Sequence, residues 1–188
     1  MISVFLSSIA WFITCYNPDA RRIAPMKWWL LGIFTIGEAI VVGFLTSFYS
    51  FSVVVSAMFS TALATGAITL YTLWNRNPKY DLSQWGSTLT SIGLIFLAYG
   101  IIQLCSTFGL LPPDFLPYNE TIISLIGATL FSAYLAYHTR LVISGKHTKY
   151  QLNEQDYVFG AMTLYSDVIN IFLYILRLLG EDSQSDDR

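Results

Sequence analysis

Charge is scarce in this sequence. Only 12% of its 188 residues are charged, while 54% are hydrophobic and 16% aromatic; a soluble domain carries about a quarter charged residues. That balance excludes an ordinary water-soluble globule and indicates a chain that lives in lipid. The few charges, netting -2, lie mainly in short loops and the tail, and no basic cluster marks a nucleic-acid partner. Cysteine is equally sparse: Cys15 and Cys105, both in apolar segments, support neither a disulfide framework nor a thiolate metal site, and are expected to be buried free thiols. The motifs of intramembrane catalysis are missing as well. There is no His-Glu-x-x-His, no Gly-x-Ser-x-Gly turn, and no second intramembrane aspartate to share a proton with the first. Neither an enzyme nor a bound cofactor is expected. The N-terminus lacks the basic start and small-residue cleavage site of a secretory signal, so the chain is expected to insert through its own helices.

What is present is a series of long apolar runs. They cover residues 2–16, 27–48, 51–73, 85–108, 121–143 and 156–179, and a spanning helix needs roughly 20 residues, which the last five supply. The first is too short and reads as the latter part of a helix. The pattern predicts an all-α polytopic bundle, a single transmembrane domain over 1–180 followed by a short acidic tail over 181–188. Basic residues alternate between the breaks: Arg21, Arg22 and Lys27 in the first, Arg76 and Lys79 in the third, Arg140, Lys146 and Lys149 around the fifth, none in the second and fourth. The positive-inside rule then makes loops one, three and five cytoplasmic, with Trp28, Trp29, Trp74 and Trp85 as interfacial anchors. Asn17-Pro18-Asp19 is a turn signal, the prolines 112, 113 and 117 prevent helix in the fourth loop, and Asn153 is a candidate cap for the last helix. Small residues at Ser56, Ser60 and Ala64, with Ala62 and Gly66 beside them, predict close helix packing along the third run. Asn119-Glu120-Thr121 fits a glycosylation acceptor but lies too near the next helix to be modified.

Three ionisable residues lie inside the apolar runs: Glu38, His138 and Asp167. Such groups cost of order 3 kcal/mol each on insertion scales and persist where paired or functional. Asp167 is the most informative. Asp156, Gly160, Thr163, Asp167, Asn170, Tyr174 and Arg177 recur at alternating spacings of four and three, which on a helix is one continuous stripe. That stripe must face protein or water rather than lipid. At 1.5 Å per residue, Glu38 and Asp167 lie about 15 to 17 Å from the cytoplasmic ends of their helices, near the midplane; His138 is expected nearer that surface. A protonated Asp167 serving only packing, and a merely interfacial His138, are the alternatives.

The closing stretch carries a family likeness. Gly145-Lys146-His147-Thr148-Lys149-Tyr150, Asp156-Tyr157-Val158-Phe159-Gly160-Ala161 and Leu164-Tyr165-Ser166-Asp167-Val168-Ile169-Asn170-Ile171-Phe172-Leu173 resemble the transmembrane Bax inhibitor motif family, particularly its Lifeguard branch. The likeness continues upstream through Trp29-Leu30-Leu31-Gly32-Ile33-Phe34-Thr35 and the aromatic pair before Ser50. It implies a seven-helix fold in an endomembrane such as the endoplasmic reticulum or Golgi, a pH-sensitive calcium leak and a role in restraining cell death. It also implies that a helix precedes the run at 2–16, so that this chain looks like one lacking its first helix. The family's pore is closed by two aspartates of its last two helices; the second matches Asp167, whereas the first, in an Asp-Thr-Gln sequence, is replaced by His138-Thr139-Arg140 here.

With that likeness in view, the expected function is a calcium leak channel with calcium as the transported ion. Asp167 and Glu38 are its acidic groups, holding calcium weakly, Asn170 and Thr163 flank the path, and His138 opposes Asp167 at a closing contact. Protonated His138 would pair with the carboxylate and neutral His138 would not. The other expected class is a non-conducting adaptor that binds membrane proteins of cell-death regulation. In either class the immediate partner is the lipid bilayer.

Overall fold

The computed structural model describes residues 2–74, 85–107, 109–110, 112, 120–144 and 156–186. Among these the secondary structure is helical: α1 (Ile2–Tyr16), α2 (Pro18–Arg22), α3 (Met26–Thr46), α4 (Phe51–Trp74), α5 (Gly86–Thr107), α6 (Glu120–Ser144) and α7 (Tyr157–Asp186). Five helices, α3 to α7, are long and apolar enough to cross a membrane, and α1 is a shorter apolar helix. The chain is a polytopic helical bundle. The basic residues expected at 76, 79, 146 and 149, the prolines 113 and 117, Asn119 and Asn153 lie outside the described residues.

The outer surface is far more apolar than that of a soluble protein. Trp74, Phe51 and Leu70 are 90%, 84% and 69% exposed, whereas Asp156 and Asp167 are 1% and 4% exposed, the distribution expected when lipid is the solvent and charge must turn inward. Within the spans the threonine hydroxyls donate to carbonyls one turn back, as Thr61 Oγ1 does to Ala57 O at 2.7 Å and Thr72 Oγ1 to Ile68 O at 2.7 Å. A polar side chain is thus satisfied without leaving its own helix. Trp28, Trp29 and Trp85 are exposed, like Trp74.

The core is divided among three contacts, and α7 takes part in two. Val158 and Met162 of α7 join Ala10, Ala20, Leu30 and Phe34 from α1, α2 and α3. Phe172 and Leu176 close on Ala57 of α4. Leu89 of α5 meets Leu130, Tyr137 and Leu141 of α6. α7 packs on α3, α4 and α6, with α6 its most extensive neighbour.

Four local expectations are revised. Asn17-Pro18-Asp19 opens a helical turn rather than a plain reversal: Asn17 Oδ1 accepts from the amides of Asp19 and Ala20 at 3.2 and 3.3 Å, with Pro18 in the first turn, because the residues that favour turns also cap helices. On α4 the buried seam is Ala57, Thr61 and Thr72, while Ser56, Ser60, Ala62 and Gly66 are exposed. The seam is displaced one residue from the expected stripe because Ala57 is where Phe172 and Leu176 seat. Cys15 and Cys105 are free, as expected, but only partly buried. The helix of α7 also continues beyond Gly180 as far as Asp186.

Candidate functional site

The register of α6 against α7 is set by glycines. A Cβ at Gly127 would lie 2.6 Å from the Tyr174 ring, and one at Gly160 3.1 Å from Val142, so each glycine admits a side chain of the other helix. As residue numbers rise on α6 they fall on α7, so the helices run antiparallel. Counting from Val142 and Gly160, His138 is level with Leu164, about one turn short of Asp167. Helical side chains lean toward their own N-terminus, and in an antiparallel pair those directions oppose. His138 leans into the bundle and Asp167 leans back toward its helix start, so His138 Nδ1 meets Asp167 Oδ2 at 2.6 Å. The backbone of His138 thus lies about one turn nearer the helix ends than that of Asp167, and the opposed leans let the two side chains meet.

The Asp167 side chain is 5% exposed and that of His138 20%. Two aromatic rings of α6 enclose the imidazole: Tyr134, nearly parallel at 5.6 Å and 18°, and Tyr137, tilted at 5.3 Å and 60°. Chemically, a protonated imidazole here makes a charge-assisted hydrogen bond and ion pair with the carboxylate; a neutral one keeps at most the hydrogen bond. The contact's strength is therefore tied to one proton.

The other expected site residues do not ligate this pair. Thr163 Oγ1 donates to Phe159 O, and Asn170 Nδ2 donates to Ser166 O at 2.8 Å, so both bond to their own helix. Glu38 is half-buried on α3, next to Gly37. α1 and α3 approach closely there, a Cβ at Gly37 falling 2.8 Å from Ser7 Cβ. Among the described residues no group of three or more His, Cys, Asp or Glu side chains forms a metal-binding cluster. Two cavities flank the α6–α7 seam. One, of about 880 Å³, is lined by Gly93 and Phe96 of α5, Leu130, Phe131 and Tyr134 of α6 and Tyr174 of α7, among others. The second, of about 510 Å³, is lined by residues that include Thr65 and Thr69 of α4, Leu135 and Thr139 of α6 and Leu164 and Val168 of α7. Neither lining includes His138 or Asp167, which lie in the seam between them.

A second charged site was not expected from the sequence. Asp156, at the start of α7, has a fully buried side chain; Oδ1 accepts from Arg21 Nε and Arg22 Nε, both at 2.9 Å, and Oδ2 from an Arg22 terminal nitrogen at 2.8 Å. Arg21 also lies 5.0 Å from the centre of the Phe159 ring, and Lys27 4.6 Å from that of Tyr157. The hydrogen bond that it donates to Asp156 pushes the Arg22 guanidinium further up from the ordinary arginine range, and arginine keeps its charge at any working pH. The first interhelix connection is thereby fastened to the start of α7. The signal was available: a buried carboxylate demands a cation, and the stripe already began at Asp156.

Residues 1–184 match the family described as Bax1-I, inhibitor of apoptosis-promoting Bax1. Protein lifeguard 3 of Mus musculus is 29% identical over 178 residues, 95% of this chain and 54% of the relative. Protein lifeguard 3 of Homo sapiens is 28% identical over 179 residues, again 95% and 54%. Protein LIFEGUARD 3 of Arabidopsis thaliana is 30% identical over 155 residues, 82% of this chain and 57% of the relative. The chain thus spans about half the length of the curated relatives it matches.

Proposed function

Because the chain belongs to the family of inhibitors of apoptosis-promoting Bax1, we propose that it is a pH-sensitive calcium leak channel of an endomembrane, the endoplasmic reticulum or Golgi, that restrains cell death. The observation that carries this reading is the 2.6 Å contact between His138 and Asp167 in the seam between two cavities. In its closed state the protonated imidazole holds the carboxylate and joins α6 to α7; loss of the proton removes the ionic attraction and lets the seam part. Asp167, once released, and Glu38 are the acidic groups along the path. Calcium takes six to eight oxygen ligands in a dedicated site, and so few carboxylates give the weak, passing occupancy that conduction requires.

A second reading is a non-conducting adaptor for membrane proteins of the cell-death machinery. It is favoured by Thr163 and Asn170, whose hydrogen bonds to their own helix suit a packing stripe. Calcium flux into liposomes holding the purified protein distinguishes the two. The parent should conduct, and Asp167→Asn should raise the leak at acidic pH about tenfold or more, since a hydrogen bond between charged partners contributes about 1.5 to 3 kcal/mol. No flux from folded parent protein would favour the adaptor; equal flux from the variant would remove Asp167 from the gate.

A further inference from the structure

Tyr134 meets the imidazole of the His138–Asp167 contact, the larger cavity and α5. It sits one turn before His138, and its ring is stacked on the imidazole at 5.6 Å. Its edge lines the larger cavity. Its hydroxyl crosses to α5 and donates to Leu89 O at 2.7 Å. That hydroxyl occupies the space where a side chain at Gly93 would begin, since a Cβ there would collide with it. One heptad earlier, Gly86 accommodates the Tyr137 hydroxyl in the same manner, a Cβ falling 2.6 Å from it. Gly86 and Leu89 are the buried residues of α5 among those described. The attachment of α5 to the bundle is therefore concentrated where the two tyrosines flanking His138 reach it.

We propose that Tyr134 is a positioning residue: seated against α5 at the notch left by Gly93, its ring fixes the imidazole plane from which Nδ1 reaches Asp167 and closes the larger cavity off from that pair. The gating consequence rests on the channel reading above; the positioning does not. The titratable and charged groups around the imidazole are Asp167 from α7 and Tyr134, Tyr137 and, two residues on, Arg140 from α6. α4, the other long helix packed on α6, brings Thr65 and Thr69 toward the seam, and its Tyr71 is exposed. A displaced Tyr134 ring leaves the other groups in place and changes the orientation and enclosure of the imidazole.

The chain has two histidines, so His147→Gln leaves His138 as the sole one, and nitrogen-15 labelling of histidine then reads its tautomer and titration directly by NMR in lipid nanodiscs. In that background Tyr134→Phe keeps the stacked ring and should preserve the tautomer pattern. Gly93→Ala places a methyl group against the hydroxyl and should shift the titration midpoint by about half a pH unit or more, a threefold change in proton affinity. The double variant Gly93→Ala with Tyr134→Phe removes the atom that collides and should restore the parent pattern. An unchanged imidazole in folded Gly93→Ala, or a double variant that fails to restore the parent signal, overturns the proposal. If Gly93→Ala does not fold, Tyr134→Leu, which removes the ring, must shift the same signal or the proposal fails. Calcium flux measured on the same proteins keeps the two ideas apart: an imidazole that moves with no change in flux upholds the positioning and refutes the gate.

Discussion

Asp156 and Asp167 stand on one face of the last helix, eleven residues apart, and both are buried, yet they are satisfied in unlike ways. Asp156 is gripped by two guanidinium groups from the first connection, through three hydrogen bonds of 2.8 to 2.9 Å. Asp167 has an imidazole on the neighbouring helix. Arginine stays charged across the pH range, whereas histidine changes charge near neutrality. Two carboxylates that look equivalent in the sequence thus differ in what their partners can do: the first is a fixed fastening, the second a conditional one. It is the partner, more than the acid, that separates a structural charge from one able to switch.

The sharpest way to break this comparison is to remove the fixed carboxylate. Asp156→Ala leaves Arg21 buried without its counter-charge, a loss of about 3–5 kcal/mol for a buried pair deprived of one partner. Thermal unfolding in detergent should show a large fall in Tm, greater than for Asp167→Asn; equal falls would erase the distinction. A second test addresses the conditional site. Calcium flux between about pH 5 and 8 brackets the titration of an ordinary imidazole. Parent flux should decline as acid adds the closing attraction, then recover when Asp167 itself takes up a proton. His138→Gln should be flat over that range. His138→Asp should leak most at pH 8, where two carboxylates face each other and cannot comfortably both ionise. Superimposable profiles would make His138 an interfacial residue only. The smallest effect is expected for Arg22→Lys, which keeps the charge but loses the fork that engages both Asp156 oxygens. With Arg21 still in place, Tm should fall measurably but less than in Asp156→Ala.

The spans were legible because lipid requires long apolar runs, and the first half of the stripe, Asp156, Gly160, Thr163 and Asp167, is buried, whereas Asn170, Tyr174 and Arg177 are only partly so. His138 and Asp167 could be proposed as partners only through a family likeness; periodicity alone gave their faces but not the helix that each face meets. Counting depth from helix ends separated them, and the missing ingredient was the lean of side chains in an antiparallel pair. The Asp156 cluster was obscured differently. Arg21 and Arg22 were read as topology markers, a role that depends on where they lie and is silent on whom they touch. The seam of α4 was placed one residue out because small residues occur on several of its faces, and only the bulk of Phe172 and Leu176 selects Ala57. Glu38 stands beside Gly37, where α1 packs on α3, a neighbour that spacing along a single helix cannot name.

The ring of Tyr174 seated at Gly127 has a mechanical meaning. A bulky ring lodged where the opposite helix has no side chain is a pin in a slot, and α6 cannot slide along α7 without first lifting clear of it. Pivoting is a different matter, since the slot tolerates rotation better than translation. His138 lies eleven residues from Gly127 along α6, a lever arm of about 16 Å. A tilt of roughly 10° about the pin would carry the imidazole about 3 Å from Asp167, enough to break the contact. The far half of the seam would stay assembled while the near half swings, so the two halves of one helix pair need not share a stability.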